Sequence, residues 1–223
     1  STTQDFPYDI TSFSFSFLTG SPMLFTYAGL IVAAVLYEEE HKNGNLKNAV
    51  AFGISREKLF LGKCITAVLT ATVLMGLVLT VYIGSACFLL EHTGPTSLKI
   101  ILTEVPAVYG TAVGSMILGI AFLSYFQNEV MAAMLWVVII DAIPRVLLLV
   151  GMFLQEQWGI EFLWDFAQLL PANLFQFGAK VNMSHCEVLW KTSQGMTKCV
   201  IVGIVGTVLA IVAGIVMLRK KEV

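Results

Sequence analysis

Residues 38–63 read EEEHKNGNLKNAVAFGISREKLFLGK. This charged, helix-capable segment sits between two long apolar runs. The run at 21–37 stops at Glu38, Glu39 and Glu40; the next, 64–90, starts directly after Lys63. A polar island of this size cannot lie in hydrocarbon, so it is a loop on one side of a membrane. Its cations Lys42, Lys47, Arg56, Lys58 and Lys63 place it on the cytoplasmic side.

The composition agrees. Mean hydropathy is +0.81, and 57% of residues are hydrophobic against 13% charged, whereas soluble domains carry roughly a quarter charged residues. An integral membrane protein follows. The net charge of −2 and the lack of a basic stripe give no reason to expect a nucleic-acid partner. The four cysteines, Cys64, Cys87, Cys186 and Cys199, show no zinc spacing. Cys64 and Cys87 lie near opposite ends of one span. Cys186 and Cys199 could pair in an oxidising compartment; the reading as unpaired small apolar residues is preferred. His41, His92 and His185 are isolated and read as loop residues, so no metal site is expected.

Working outward, the apolar blocks predict five spans, at about 21–37, 59–90, 105–126, 130–153 and 199–218. The chain reads as a single transmembrane domain over 1–223, all-α and polytopic. Pro22 suits a first helical turn with Ser21 before it, and Pro106 marks the start of the third span. Gly110 and Gly114 there form a small-xxx-small pair, alongside Ala107 and Ser115, that would let helices approach closely in lipid. The loop occupies 38–58, and residues 154–198 form an outer segment with amphipathic patches. Alternation puts 91–104 and 154–198 outside and the tail Arg219-Lys220-Lys221 inside, in agreement with the bias of cations. The start of the chain then lies outside without a signal peptide, which predicts one further span upstream and six in the complete subunit.

Two constellations stand out. Within the loop the spacing is Glu40-x3-Gly44-x11-Arg56-x6-Lys63. Leu46, Ala49, Val50 and Phe52 give a short predicted helix an apolar side, bounded by Gly44 and Gly53. Ser55 is placed to N-cap the next helix. In the fourth span, Asp141 and Arg145 are four apart on one helical face, and Pro144 between them predicts a break. Asp141 lies roughly 18 Å along the helix from Glu129, where charge is costly unless paired or wetted. One reading makes Asp141, Pro144 and Arg145 line or gate an outer pathway; the other, a local ion pair steadying a broken helix, is preferred. The outer segment carries Trp158, Phe162, Trp164, Phe166, Phe175 and Phe177, suited either to interfacial anchoring or to a lid.

At the loop residues the chain resembles the permease subunits of type 2 ABC exporters. Glu40, Gly44, Ser55, Arg56 and Lys63 match that pattern in order and spacing; Asn45 stands where the family has Thr, and Gly53 where it has Pro. Residues 169–174, Leu169-Leu170-Pro171-Ala172-Asn173-Leu174, are similar to the outer segment of bacterial peptide-antibiotic immunity permeases. The resemblance implies a pair of permease subunits in the cell membrane, homo- or heterodimeric, moving an amphiphilic cargo outward: a peptide antibiotic, small peptide, lipid or drug. It implies ABC ATPase subunits docked on the 38–58 loop through Glu40, Gly44, Leu46, Val50, Phe52, Ser55, Arg56 and Lys63. ATP and magnesium would then sit on the partner ATPase, with no cofactor or catalysis on this chain; its sequence has no GxxxxGK[ST] phosphate loop. The rival from another class is a non-transporting membrane anchor or sensor that recruits a cytoplasmic protein. An intramembrane enzyme is disfavoured because no span pairs catalytic groups at useful spacing.

Overall fold

The computed structural model describes residues 11, 14–15, 18, 21–42, 55–92, 98–126, 128–177, 179–182, 185–188 and 193–220. Among the described residues, four helical rods are long and apolar enough to cross a membrane: α2 (Arg56–Leu89), α3 (Leu98–Tyr125), the pair α4 (Glu129–Val137) and α5 (Ile143–Trp158) joined by a π-helical turn (Val138–Ala142), and α8 (Ser193–Lys220); α1 (Ser21–Lys42) precedes them with a shorter apolar stretch, Pro22–Val35. Two short helices, α6 (Phe162–Gln168) and α7 (Pro171–Phe177), and a small antiparallel hairpin, β1 (Ala179–Asn182) with β2 (His185–Val188), lie between α5 and α8. The protein is an all-α polytopic membrane protein with that hairpin as an ornament.

The helices overrun the apolar blocks. α1 continues past residue 37 through Glu38–Lys42, and α2 starts at Arg56 rather than 59. Glu, Lys and Arg are good helix formers, and outside hydrocarbon nothing stops a helix that already has its first turns. α3 begins at Leu98, with Pro106 inside it. The missing N–H of Pro106 is tolerated because polar surroundings at a span's end can solvate the carbonyl it strands. Asn128 caps α4 by accepting from Val130 N at 3.0 Å and Met131 N at 3.3 Å. Gly159, at φ +67°, closes α5 in the left-handed region that glycine enters without strain.

Burial runs opposite to a soluble bundle. On α2 the inward row is Phe60, Cys64, Ala67 and Ala71, while Ile65, Leu69, Val73, Leu77 and Val81 point outward. On α8 the inward row is Cys199, Gly203, Ala210, Gly214 and Leu218, and the outward row is Ile201, Ile204, Val208 and Val212. Lipid tails satisfy exposed Leu and Val, so the drive to associate is close packing and a few interhelical hydrogen bonds. Small residues on the inward rows supply the closeness.

α3 is the central helix. Most of its apolar window is buried, whereas those of α2, α4–α5 and α8 are mostly exposed. Its most extensive partner is α8. Gly110 faces Gly203, a Cβ built on Gly114 would stand 2.9 Å from Thr207 N, and Thr207 Oγ1 donates to Gly110 O at 3.0 Å. The small-residue pair predicted at Gly110 and Gly114 is thus the seam with the last span.

α1 and α2 run antiparallel, so Lys42 and Arg56 share one end of the bundle with Tyr125, Glu129 and Arg219; we call this the elbow side. At the opposite end Thr11 N donates to Glu91 O at 2.9 Å, and Ser14 and Tyr82 exchange hydrogen bonds at 3.0 Å. Cys64 and Cys199 are free, buried thiols. The free Cys199 agrees with the preferred reading of unpaired cysteines.

Candidate functional site

Asp141, Pro144 and Arg145 lie at the junction of α4 and α5. The predicted break is corrected. A proline inside an α-helix removes one hydrogen bond and drives its ring into the carbonyl four residues back. Here the backbone instead widens for one turn over Val138–Ala142, with Ile143 N–H bonding to Val138 O. The extra residue makes room for the ring, and the rod continues. Such π-bulges occur often at functional positions.

From the first turn of α5, Arg145 Nη2 and Nε reach back to Asp141 Oδ1 in that wide turn at 2.7 and 3.1 Å. Both donors converge on one carboxylate oxygen, so this is not the two-oxygen fork. The carboxylate side chain is 20% exposed and the guanidinium side chain 48%, so the pair presents its cationic end at the surface of the span. Tyr27, on α1, lies within electrostatic reach of both charges.

Sequence reasoning missed three neighbours. The Tyr27 ring meets Trp136 of α4 edge-on at 5.3 Å between centroids. Trp136 is wholly buried and its Nε1 donates to Ser115 O on α3 at 2.7 Å. A Cβ at Gly119 would come within 3.0 Å of the same Nε1, so the glycine lets the indole lie on α3. Asn173, from α7, is also wholly buried; its Nδ2 donates to Pro144 O at 2.7 Å and to Ala167 O at 2.8 Å. One amide thus ties the segment after α5 to the carbonyl of the proline at the bulge. The available signals were a lone indole in the apolar run 130–140 and a lone amide in LLPANL. Each has polar hydrogens that must find an acceptor when buried.

The aromatic residues of the predicted outer segment divide. Trp158, Phe162 and Phe166 are exposed, the last two stacked at 6.5 Å, whereas Trp164 is packed with its backbone against Gly151. The side chains of Phe175 and Phe177 lie outside the described residues.

The elbow is described at its flanks. The backbone of Glu40 is helical in the last turns of α1. Ser55 holds the N-cap position of α2 in extended conformation, but its hydroxyl makes no capping bond, which corrects the expected side-chain cap. Arg56 is the first residue of α2 and Lys63 lies two turns on; both are half-buried. Gly44, Leu46, Val50 and Phe52 fall outside the described residues. The structure therefore puts Ser55, Arg56 and Lys63 on one helix end and Asp141, Pro144 and Arg145 in the middle of another span, so the two predicted groups form separate sites.

Residues 1–143 match the family described as ABC-2 family transporter protein, well over half of the 223-residue chain. Neither a curated protein nor a solved structure matches it. The matched stretch holds α1 to α4, both flanks of the elbow and the π-helical turn, ending at Ile143, the first residue of α5. The chain belongs to the ABC-2 transporter family and is a multi-pass membrane permease component.

Proposed function

We propose that this chain is the permease of an ATP-driven exporter, that residues 38–58 are cytoplasmic and dock a separate ABC ATPase, and that the C-terminus lies on the same side. The observation that carries this reading is the pair of charged helix ends, Glu38–Lys42 and Arg56–Lys58, that project beyond the apolar parts of α1 and α2 and bracket residues 43–54. Rigid helical posts on both sides of a short apolar-faced segment turn a push at Leu46, Val50 and Phe52 into movement of two spans. Two copies, or this chain and a similar one, would form the pathway. The cargo class is amphiphilic, as befits a route between apolar rods that carries one ion pair.

Asp141 and Arg145 favour transport over a passive anchor. An anchor has no use for a cationic surface in mid-span, where an unpaired charge costs about 2.5–3.5 kcal/mol on insertion scales.

The test has two arms. An ABC ATPase is expected to co-purify with the wild type, and the complex to be lost on Gly44→Pro or Arg56→Glu while the protein remains inserted. In the reconstituted complex Asp141→Asn, which strands Arg145, should lower cargo-stimulated ATP hydrolysis, by about tenfold for each 1.4 kcal/mol that the stranded cation adds to the barrier. Labelling of Lys47 or Lys58 only from outside the cell would overturn the docking reading. Unchanged turnover at unchanged protein level in Asp141→Asn would end the pathway role of the pair.

A further inference from the structure

The elbow-side ends of α2 and α8 are joined twice. Phe60, in the second turn of α2, is 2% exposed, and its ring fills a notch in α8 that exists because residue 214 is glycine: a Cβ there would collide with the tip of the Phe60 ring and stand 3.1 Å from Ala121 of α3. One turn below, Arg219 Nε donates to Glu57 Oε1 at 2.6 Å, across 162 residues of sequence. Cys64 and Leu218 are also buried at this level. Glu57 is two residues after Ser55, where the described chain resumes beyond the elbow.

The far half of α2 buries less. Its fully buried residues are Phe60, Cys64, Ala67 and Ala71, then none until Ala86. Its side-chain packing is therefore concentrated in the elbow-side half, with hydrogen bonds between Thr72 and Tyr109 of α3 and between Tyr82 and Ser14 further along. Close-packed contacts transmit displacement because they compress little. An exposed ion pair adds little strength, since water and salt screen it, but it fixes which faces of the two helices meet. Packing by Phe60 supplies the stiffness, and Glu57–Arg219 the alignment.

We infer that the first turns of α2 and the last turns of α8 move as one body, with Glu57, Phe60, Gly214 and Arg219 as positioning residues that hand motion of the elbow to the final span. α8 is in turn locked to the central helix through Gly110, Gly114, Gly203 and Thr207, so the push reaches α3 through the last span as well as through the direct contact of α2 with α3 at Thr72 and Tyr109. This inference rests on the coupling reading of the elbow.

Spin labels test it in the complex with its ATPase, the four native cysteines replaced by alanine. One pair sits at Lys58→Cys and Val216→Cys, across the joint; the other sits at Lys58→Cys and Asn128→Cys, from the joint to the base of α4. All three native positions are exposed. Between ADP-bound and ATP-trapped states the first distance should stay fixed while the second changes on the order of 5 Å, the size of a one-turn helix shift. Arg219→Glu should make the first distance broad and nucleotide-sensitive, and Glu57→Arg added to Arg219→Glu should narrow it again. A first distance that changes as much as the second overturns the shared body while leaving ATPase coupling intact. Failure of the charge swap to restore it overturns the role of the ion pair. Two distances that both ignore nucleotide in an assembled complex overturn the coupling reading itself, and this inference with it.

Discussion

Gly114→Leu should take the α3–α8 seam apart. A Cβ at this position stands 2.9 Å from Thr207 N and 3.0 Å from Gly206 C. Both are backbone atoms of the facing helix and cannot rotate away, so the axes must separate. Separation stretches the Thr207–Gly110 hydrogen bond and opens the contact at Gly203, where a Cβ would already stand 3.0 Å from Thr111 N. In lipid there is no hydrophobic drive between the helices to offset the loss. Overpacking costs about 1–3 kcal/mol and occasionally more; a leucine wedged between two backbones belongs at about 3 kcal/mol or above. Unfolding of the purified protein in detergent, followed by protease resistance and size-exclusion profile, measures it. Gly206→Ala is the control on the facing helix, α8: its Cβ meets nothing within 4 Å, so its effect should stay within about 0.5 kcal/mol. Equal stability of Gly114→Leu and the wild type would mean that the two helices do not touch there.

Trp136→Ala should be the second most damaging change. The indole meets two other helices at three points: the Tyr27 ring on α1, and the Ser115 carbonyl and the gap over Gly119 on α3. Removing a buried tryptophan from a soluble core costs about 3–5 kcal/mol, part for transfer from water and part for the cavity. The reference medium here is lipid, so most of the transfer part drops out while the cavity part remains. That places the expected loss at about 2–3 kcal/mol, read as a lowered thermal midpoint in detergent. Trp136→Phe refills much of the space but cannot donate to Ser115 O. Its loss should be smaller and close to that of one buried hydrogen bond, about 1 kcal/mol. If phenylalanine proved as harmful as alanine, the hydrogen bond, and not the volume, would be what holds α4 on α3.

Four of the five expected rods were legible because a span needs only a long apolar run; the first, at 21–37, is a helix whose apolar stretch, Pro22–Val35, is shorter. Their ends were not, because hydropathy marks where hydrocarbon stops while the helices go on: Glu38–Lys42 and Leu98–Val105 stay helical beyond it. Gly110 and Gly114 could be picked out as a close-packing face, yet their partners on α8 could not, since a stripe of small residues does not state what it meets. Pro144 announced a disturbance in the fourth span. Whether the backbone breaks or bulges there depends on how the neighbouring helices hold the two halves, and that information is tertiary. The β1–β2 hairpin does alternate apolar and polar residues, Ala179-Lys180-Val181-Asn182 and His185-Cys186-Glu187-Val188, but runs of four are too short to stand out, and it was read as part of a polar segment. Of the candidate site, Asp141 and Arg145 were visible as charges out of place. Tyr27, Trp136 and Asn173 were hidden among apolar neighbours because their importance comes from the acceptors they reach, on elements far away in sequence.

The wide turn at Val138–Ala142 has a consequence for how this span could be edited. It holds one residue more than an unbroken α-helix needs. Deleting a single residue there would let the regular ladder close up with the distal half-helix at nearly the same angle, because the wide turn already absorbs the extra residue; a deletion in the regular part of the rod would instead turn everything beyond it by about 100°. Closing the turn would drive the Pro144 ring against the carbonyl four residues back. The one residue of slack therefore gives the proline its room while its carbonyl keeps facing the Asn173 amide.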